Sequence, residues 1–231
     1  PALADYVAHG ILAPRRSIDQ LAEATPDADP AHANGLVPDP EDVDSQRIEA
    51  LLRHATDTFN RIGFGAASIP IMARQLGTSK TAFYQVARDK EELLYLCYLR
   101  GLHLVEESQR SADLLTAAAG PRLWLGTRLL LKAHGGPLGP IPRMGSMQSL
   151  APAHHRMVLA RRNAGAYRTR TRIASGIAQG WFRGVDNLVV QHLIGSLIYG
   201  LPVWHAGNDD PDLGLVADTG LAIIFEGLAA H

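Results

Sequence analysis

The chain has 231 residues, of which 46% are hydrophobic and 19% charged, and its formal net charge is −1. That is globular composition, with ample core for one large domain or two small ones. No apolar run approaches the ~20 residues of a membrane-spanning helix. The single cysteine, Cys97, excludes an intrachain disulfide framework and any cysteine-built zinc site, and it suits a reducing cytoplasm.

Near-neutrality hides a segregation of charge. Residues 1–44 hold 2 basic and 9 acidic side chains, a balance of −7. Residues 45–90 hold 7 basic (Arg47, Arg53, Arg61, Arg74, Lys80, Arg88, Lys90) against 3 acidic, a balance of +4, and residues 91–231 hold 13 against 11. The total argues against nucleic acid, but a compact basic module inside a neutral protein points to a local anionic partner.

In chain order, Leu3, Val7 and Ile11 stand four apart, a short helical stripe over 2–12. Residues 24–44 contain four prolines and a run of acidic groups and read as a linker. The pattern sharpens at Ser45, a good N-cap, after which Ile48, Leu51, Leu52, Ala55, Thr58, Phe59 and Ile62 keep helical spacing up to Gly63. Ser68 is expected to cap a second helix with Pro70 in its first turn, where a missing N–H costs nothing, and Gly77 to end it. Thr78 or Ser79 begins a third helix, and Asp89 caps a fourth whose Glu91 and Glu92 suit the dipole. Longer helical patterns follow at roughly 90–113, 121–134, 152–179, 186–206 and 213–229, broken mostly at Gly/Pro clusters such as 135–142. No segment alternates as a strand would, so the expected class is all-α.

A helix of about eight residues, a three-residue turn with glycine and a second short helix is helix-turn-helix geometry. In such a unit the second helix, here about 79–86, lies in the major groove and the first crosses the backbone. Ser79, Lys80, Thr81, Tyr84 and Gln85 would face phosphates or base edges, with Ala82, Phe83 and Val86 turned inward. Lys90 would add a cation where helix N-terminal amides already attract phosphate. The same spacing also fits a two-helix corner of a bundle with a solvated basic face.

The stretch SQRIEALLRHATDTFNRIGFGAASIPIMARQLGTSKTAFYQVARDKEELL (45–94) resembles the N-terminal domain of the tetracycline-repressor (TetR-type) family of transcriptional regulators. The matching residues are Phe59 with Gly63-Phe64, Ser68-Ile69, Ala73 with Leu76-Gly77, Ser79-Lys80, Phe83-Tyr84 and Asp89 to Leu93. The resemblance implies a three-helix helix-turn-helix DNA-binding domain at 45–92 and a larger helical effector-binding and dimerisation domain at 93–231. It places Ser68 and Tyr84 on phosphates, Lys80 and Thr81 on bases or backbone, and Lys90 as a phosphate clamp. The sequence departs from the family at Gln85-Val86-Ala87, where aromatic residues are usual, and at Thr81, where glycine is common.

Residues 176–204 resemble the junction between the pocket and the dimer helices of these regulators. Leu188, Val189, His192, Leu193, Ser196, Leu197 and Gly200, with Leu221, Ile224, Phe225 and Leu228, would form a four-helix seam between protomers, or else intramolecular core. The resemblance implies an effector pocket lined by Tyr95, Tyr98, Trp124, Arg128, Met144, Met147 and Trp204, each of which also suits plain core. The 135–149 stretch would be a flexible gate or a solvated loop. Arg161, Arg168 and Arg172 share a helical face that would meet an anionic effector such as an acyl-CoA, or solvent.

Residues 3–13 echo 220–230, which makes 1–44 either the last helix of an upstream tandem copy followed by a linker, or an N-terminal extension packed on the body. No Walker loop, G-x-S-x-G elbow or H-E-x-x-H occurs. Neighbours on a helix point about 100° apart, so His154 and His155 cannot share a metal on one face. Neither enzyme chemistry, metal nor cofactor is expected. The resulting expectation is a cytoplasmic regulator, a homodimer through its last two helices, that binds double-stranded operator DNA and is released by a small molecule. The alternative is a helical ligand-binding or adaptor protein that has lost specific DNA binding.

Overall fold

The structure, a computed structural model, describes residues 2–25, 41–136, 138–205 and 213–226, with the backbone alone for 2, 201–205 and 213–214. The elements are α1 (Ala2–His9), α2 (Ile18–Glu23), α3 (Val43–Ala66), α4 (Ile69–Gln75), α5 (Lys80–Val86), α6 (Lys90–Leu115), α7 (Ala119–Gly135), a 3-10 turn (Met144–Ser149), α8 (Pro152–Ala178), α9 (Asn187–His205) and α10 (Leu213–Phe225). Among the described residues the only extended pairing is an antiparallel bridge between Leu12 and Phe182. The all-α expectation is met.

Local chemistry sets the ends of α3 to α6. Asp42, not Ser45, caps α3. Its carboxylate accepts from the Ser45 N–H at 3.0 Å and from the Ser45 hydroxyl, so the helix starts at Val43. Gly63, at φ +78°, breaks the helix where expected. Ser68 Oγ accepts from the Ile71 N–H, with Pro70 in the first turn. At the far end of α4, Gly77 adopts φ +66°, Gly77 N–H donates to Arg74 O, and Thr78 N–H donates to Ala73 O at 2.9 Å. This left-handed Schellman ending reverses the chain into α5. Ser79 and Asp89 cap α5 and α6.

These four helices close over Phe59, Met72, Phe83, Leu93 and Leu94, all at most 2% exposed. The same core continues into Met147 and Leu150 of the 3-10 turn and Val158 of α8. Because α6 runs unbroken from Lys90 to Leu115, the boundary expected at 92/93 falls inside a rigid helix that both domains share. Among the described residues, no helix is long and apolar enough to cross a membrane.

The second core is built by α6 to α10, and the N-terminal segment is part of it. Ile11 and Leu21 are fully buried there, with Tyr6 and Leu12 beside them. Backbone bonds from Ile11 and Leu12 N–H to Phe225 O satisfy the end of α10 (3.0 and 2.9 Å), and Arg183 N–H returns to Ile11 O. Arg183 also donates to Gly10 O and pairs with Asp5 at 2.7 Å, while Glu226 accepts from the Ile18 N–H. Gly10 lies at φ +63° against Phe225 O, where a Cβ would meet that oxygen at 2.3 Å. Residues 2–23 are therefore woven into the second core. Of the linker read at 24–44, residues 26–40 lie outside the described residues, as does Gly227 of the terminal echo.

Candidate DNA-reading helix and effector cavity

Two short helices at a glycine corner place α5 on the surface. Ala82 and Phe83 are buried and Val86 packs against the same core. Ser79, Lys80, Thr81, Tyr84 and Gln85 are exposed, and Tyr84 keeps 53% of its surface. Arg47 of α3 donates to Gln85 Oε1 at 3.1 Å, which fixes that amide from outside. Ser68 is half-buried, its hydroxyl oxygen occupied as an N-cap acceptor. Ala87, at 2% exposure, closes the core in the stretch where the resembling family usually carries aromatic rings.

Lys90 departs from its expected place. Its ammonium donates to Phe64 O (2.8 Å) and Ala67 O (3.0 Å) and lies 4.2 Å from the centre of the Phe64 ring. Two of its three protons thus satisfy the loop after Gly63, ahead of any phosphate. Arg53 donates to Gly139 O, and Arg61 and Arg88 pair with Asp57 and Glu92. Within residues 45–90, Arg47, Arg74 and Lys80 are the exposed cations with no ion pair.

Between α6, α7, α8 and α9 lies a cavity with about 840 Å³ of empty space, part of it open to solvent. Its floor is apolar (Leu102, Leu123, Leu130, Ile194, Ile198), and its α8 wall carries Arg161, Arg162, Arg168 and Arg172, with Arg122 from α7. A tight annexe adjoins it, with about 310 Å³ of empty space that includes open solvent, sharing Leu102, Val105, Arg162 and Tyr199, and ends on Tyr98, Ile141, Pro142 and Met144. Gly101 makes the annexe's tight end possible, since a Cβ there would meet Pro142 Cδ at 2.8 Å.

Of the pocket residues expected from the sequence, Tyr98 and Met144 line the annexe. Tyr95, Trp124, Arg128 and Met147 line neither space. Tyr95 stacks on His154 at 3.8 Å, and His154 bonds to Glu91. Trp124 is packed in the second core, with Arg128 beside it paired to Asp218 at 2.9 Å. Met147 fills the first core, under α3 to α6. The side chain of Trp204 lies outside the described residues. Arg161, Arg168 and Arg172, the shared helical face noted in the sequence, do line the cavity, and the arginines missed were Arg122 and Arg162.

Residues 138–143, expected as a flexible gate or solvated loop, are neither. Their carbonyls are taken in turn by side chains: Leu138 and Pro140 by Arg100, Gly139 by Arg53, Ile141 by Asn60 and Arg143 by Tyr98. Asn60 also accepts from the Arg143 N–H at 2.9 Å, and the Ile141 N–H donates to His134 Nδ1. Burial pulls the His134 imidazole down to about 4, which keeps that acceptor neutral. One face of this segment is gripped by α3, and Ile141 and Pro142 on it wall the annexe.

On α9 and α10, Leu221, Ile224 and Phe225 are buried within this chain, so they are not free to face a second protomer. The outward residues are Leu188, His192 and Ser196 of α9 and Leu215 and Thr219 of α10. Leu228 lies outside the described residues.

No family model matches the sequence, and no curated protein is similar to it at a significant level. Solved structures are similar. AibR, in complex with isovaleryl coenzyme A and operator DNA, superposes with TM-score 0.65 at 20% identity, over 79% of this chain and all of that one. A TetR-family regulatory protein from Rhodococcus RHA1 gives 0.62 at 24%, over 80% and 99%. The ketosteroid transcriptional regulator KstR2 of Mycobacterium tuberculosis gives 0.66 at 20%, over 77% and 92%. The chain has the fold of TetR-type transcriptional regulators: a helix-turn-helix domain joined to a helical body.

Proposed function

We propose that this chain is a DNA-binding transcriptional regulator, a repressor released from its operator when a small molecule enters the cavity. The observation that carries it is α5. It is a surface helix whose apolar residues are all spent on the core, while Ser79, Lys80, Thr81, Tyr84 and Gln85 stand outward at a Schellman corner. AibR, which has this fold, binds both operator DNA and isovaleryl coenzyme A, and that supports pairing the two functions here.

The release path follows from the 138–143 segment. A ligand filling the annexe presses on Ile141, Pro142 and Met144, in a segment that Asn60 of α3 holds by its bonds to Ile141 O and the Arg143 N–H, both 2.9 Å. Since α3 carries α4 and α5, moving this segment tilts the reading helix. In a homodimer through α9 and α10, two copies of α5 reach successive major grooves ~34–36 Å apart, and a tilt of each spoils that spacing. The ligand acts by binding the DNA-incompetent state more tightly.

The test is selection of bound fragments from the source genome by the purified protein, followed by footprinting. A near-palindromic site at a promoter is expected. Arg47, Arg74 and Lys80 as phosphate contacts give a log–log salt slope of about −3 per protomer. No enrichment at low salt would discard this reading in favour of a ligand-binding or adaptor protein.

A further inference from the structure

We propose that the cavity takes an amphipathic anion, its charged head on Arg162 and the neighbouring α8 arginines and its apolar end in the annexe against Tyr98 and Met144. The wall holds five guanidinium groups, from Arg122, Arg161, Arg162, Arg168 and Arg172. Two carboxylates answer them: Glu106 pairs with Arg161 and Asp113 with Arg172, each at 2.6 Å. Arg168 and Arg122 reach the same two acids only at 3.9 Å, and Arg162 has no ion pair among the described residues. Three positive charges are left over on a concave surface whose floor is apolar, an arrangement that an anion neutralises and a neutral or cationic ligand does not.

Arg162 is the junction, since it lines both the cavity and the annexe. The two phenols there, Tyr98 and Tyr199, are pushed up by burial and stay neutral, so they supply no counter-charge. On the α6 side of the cavity Gln109 Oε1 is buried without a partner and is placed to accept from an N–H or O–H of the ligand. From Arg161 to Arg172 the α8 wall extends about 16 Å, at 1.5 Å per residue, long enough for an extended head to meet more than one guanidinium. A free long-chain carboxylate and its coenzyme A thioester share this chemistry.

The inference rests on the regulator reading only for the consequence of binding. The experiment is calorimetric titration of the full chain with dodecanoate, dodecanoyl-coenzyme A and dodecanol, at low and high salt, with DNA binding followed on the same samples. At least one anion is expected to bind about tenfold or more tightly than dodecanol, and which one names the source. Arg162→Met is expected to weaken that anion about tenfold or more and leave dodecanol unchanged, the loss of one charge-assisted contact. Gly195→Phe is expected to weaken every ligand, because a Cβ at Gly195 points into open cavity with nothing within 4 Å. Dodecanol binding as tightly as the anions, or an Arg162→Met variant as competent as the parent, would overturn the proposal. If Arg162→Met does not fold, the parent's salt response decides, because anion affinity that ignores salt also overturns it. Tight anion binding with no effect on DNA would remove the regulator reading and keep the site. DNA binding with no bound anion would do the reverse.

Discussion

Arg100 offers the sharpest test of how the two halves are joined. Its side chain is 6% exposed; Nε donates to Glu49 Oε1 on α3 at 2.6 Å, Nη1 to Pro140 O at 3.0 Å and Nη2 to Leu138 O. Arg100→Met keeps the apolar stem but strands a carboxylate that is only 22% exposed, together with two loop carbonyls. Breaking one side of a buried pair costs about 3–5 kcal/mol, and water reaching the loop carbonyls holds the total near ~4 kcal/mol. For a chain of this size that is a drop in Tm of about 8–16 °C. Urea unfolding at pH 7 gives the free energy, and the Glu49→Gln background supplies the cycle. There Arg100→Met should cost about 2 kcal/mol less, because no charge is stranded. A loss under about 1 kcal/mol, or no coupling in the cycle, would refute the view that this pair clamps α3, α6 and the 138–143 segment together.

Four further outcomes follow. Because burial holds His134 at about 4 against the usual 6.5, the folded chain binds fewer protons than the unfolded one between those values. Stability is therefore full above pH 6.5 and falls by about 3 kcal/mol as pH drops to 4; His134→Asn, whose Oδ1 keeps the acceptor for Ile141, should show a flatter series of urea midpoints. Burial pushes the Cys97 thiol up to about 12, so a thiol reagent should label it only on unfolding, and labelling at the rate of an exposed thiol would contradict its placement. Gly10→Ala combines a left-handed backbone with a Cβ 2.3 Å from Phe225 O and should cost at least about 2 kcal/mol. Hydrogen exchange at Ile11 and Leu12 should then approach that of an undocked arm. Lys90→Met removes the donor to Phe64 O and Ala67 O and should cost about 2 kcal/mol while leaving the salt slope of DNA binding unchanged. A slope reduced by about one would return Lys90 to the phosphate.

The helix-turn-helix could be read almost residue for residue. Ser68, Ser79 and Asp89 cap the helices assigned to them, Gly63 breaks α3 at a positive φ shortly before its end, and Gly77 takes the left-handed turn that ends α4. Each of these signals acts within four or five residues, so adjacent chemistry is enough. Asp42 displaced Ser45 as a cap for an equally local reason, a stronger acceptor three residues ahead of an available N–H.

The C-terminal body was legible as helices and not as a site. Tyr95, Trp124 and Met147 look like pocket residues by type, yet packing gave them to His154 and to the two cores. Ile11, in a stretch that reads as an extension, is fully buried because the end of α10 and the α8–α9 connection lie about two hundred residues away in sequence and beside it in space, and Leu21 is buried where α2 packs on α7.

Length, charge segregation, caps and apolar period were enough to define the class, the helices and the outward face of α5, since each depends on a residue and its near neighbours. The fate of the cations was not. Lys90 turns onto carbonyls, Arg100 joins two domains and Arg162 faces an open cavity. Side chains of one chemical kind acquire these three roles from whatever distant helix is packed against them, and that partner is set by tertiary contact rather than by sequence spacing.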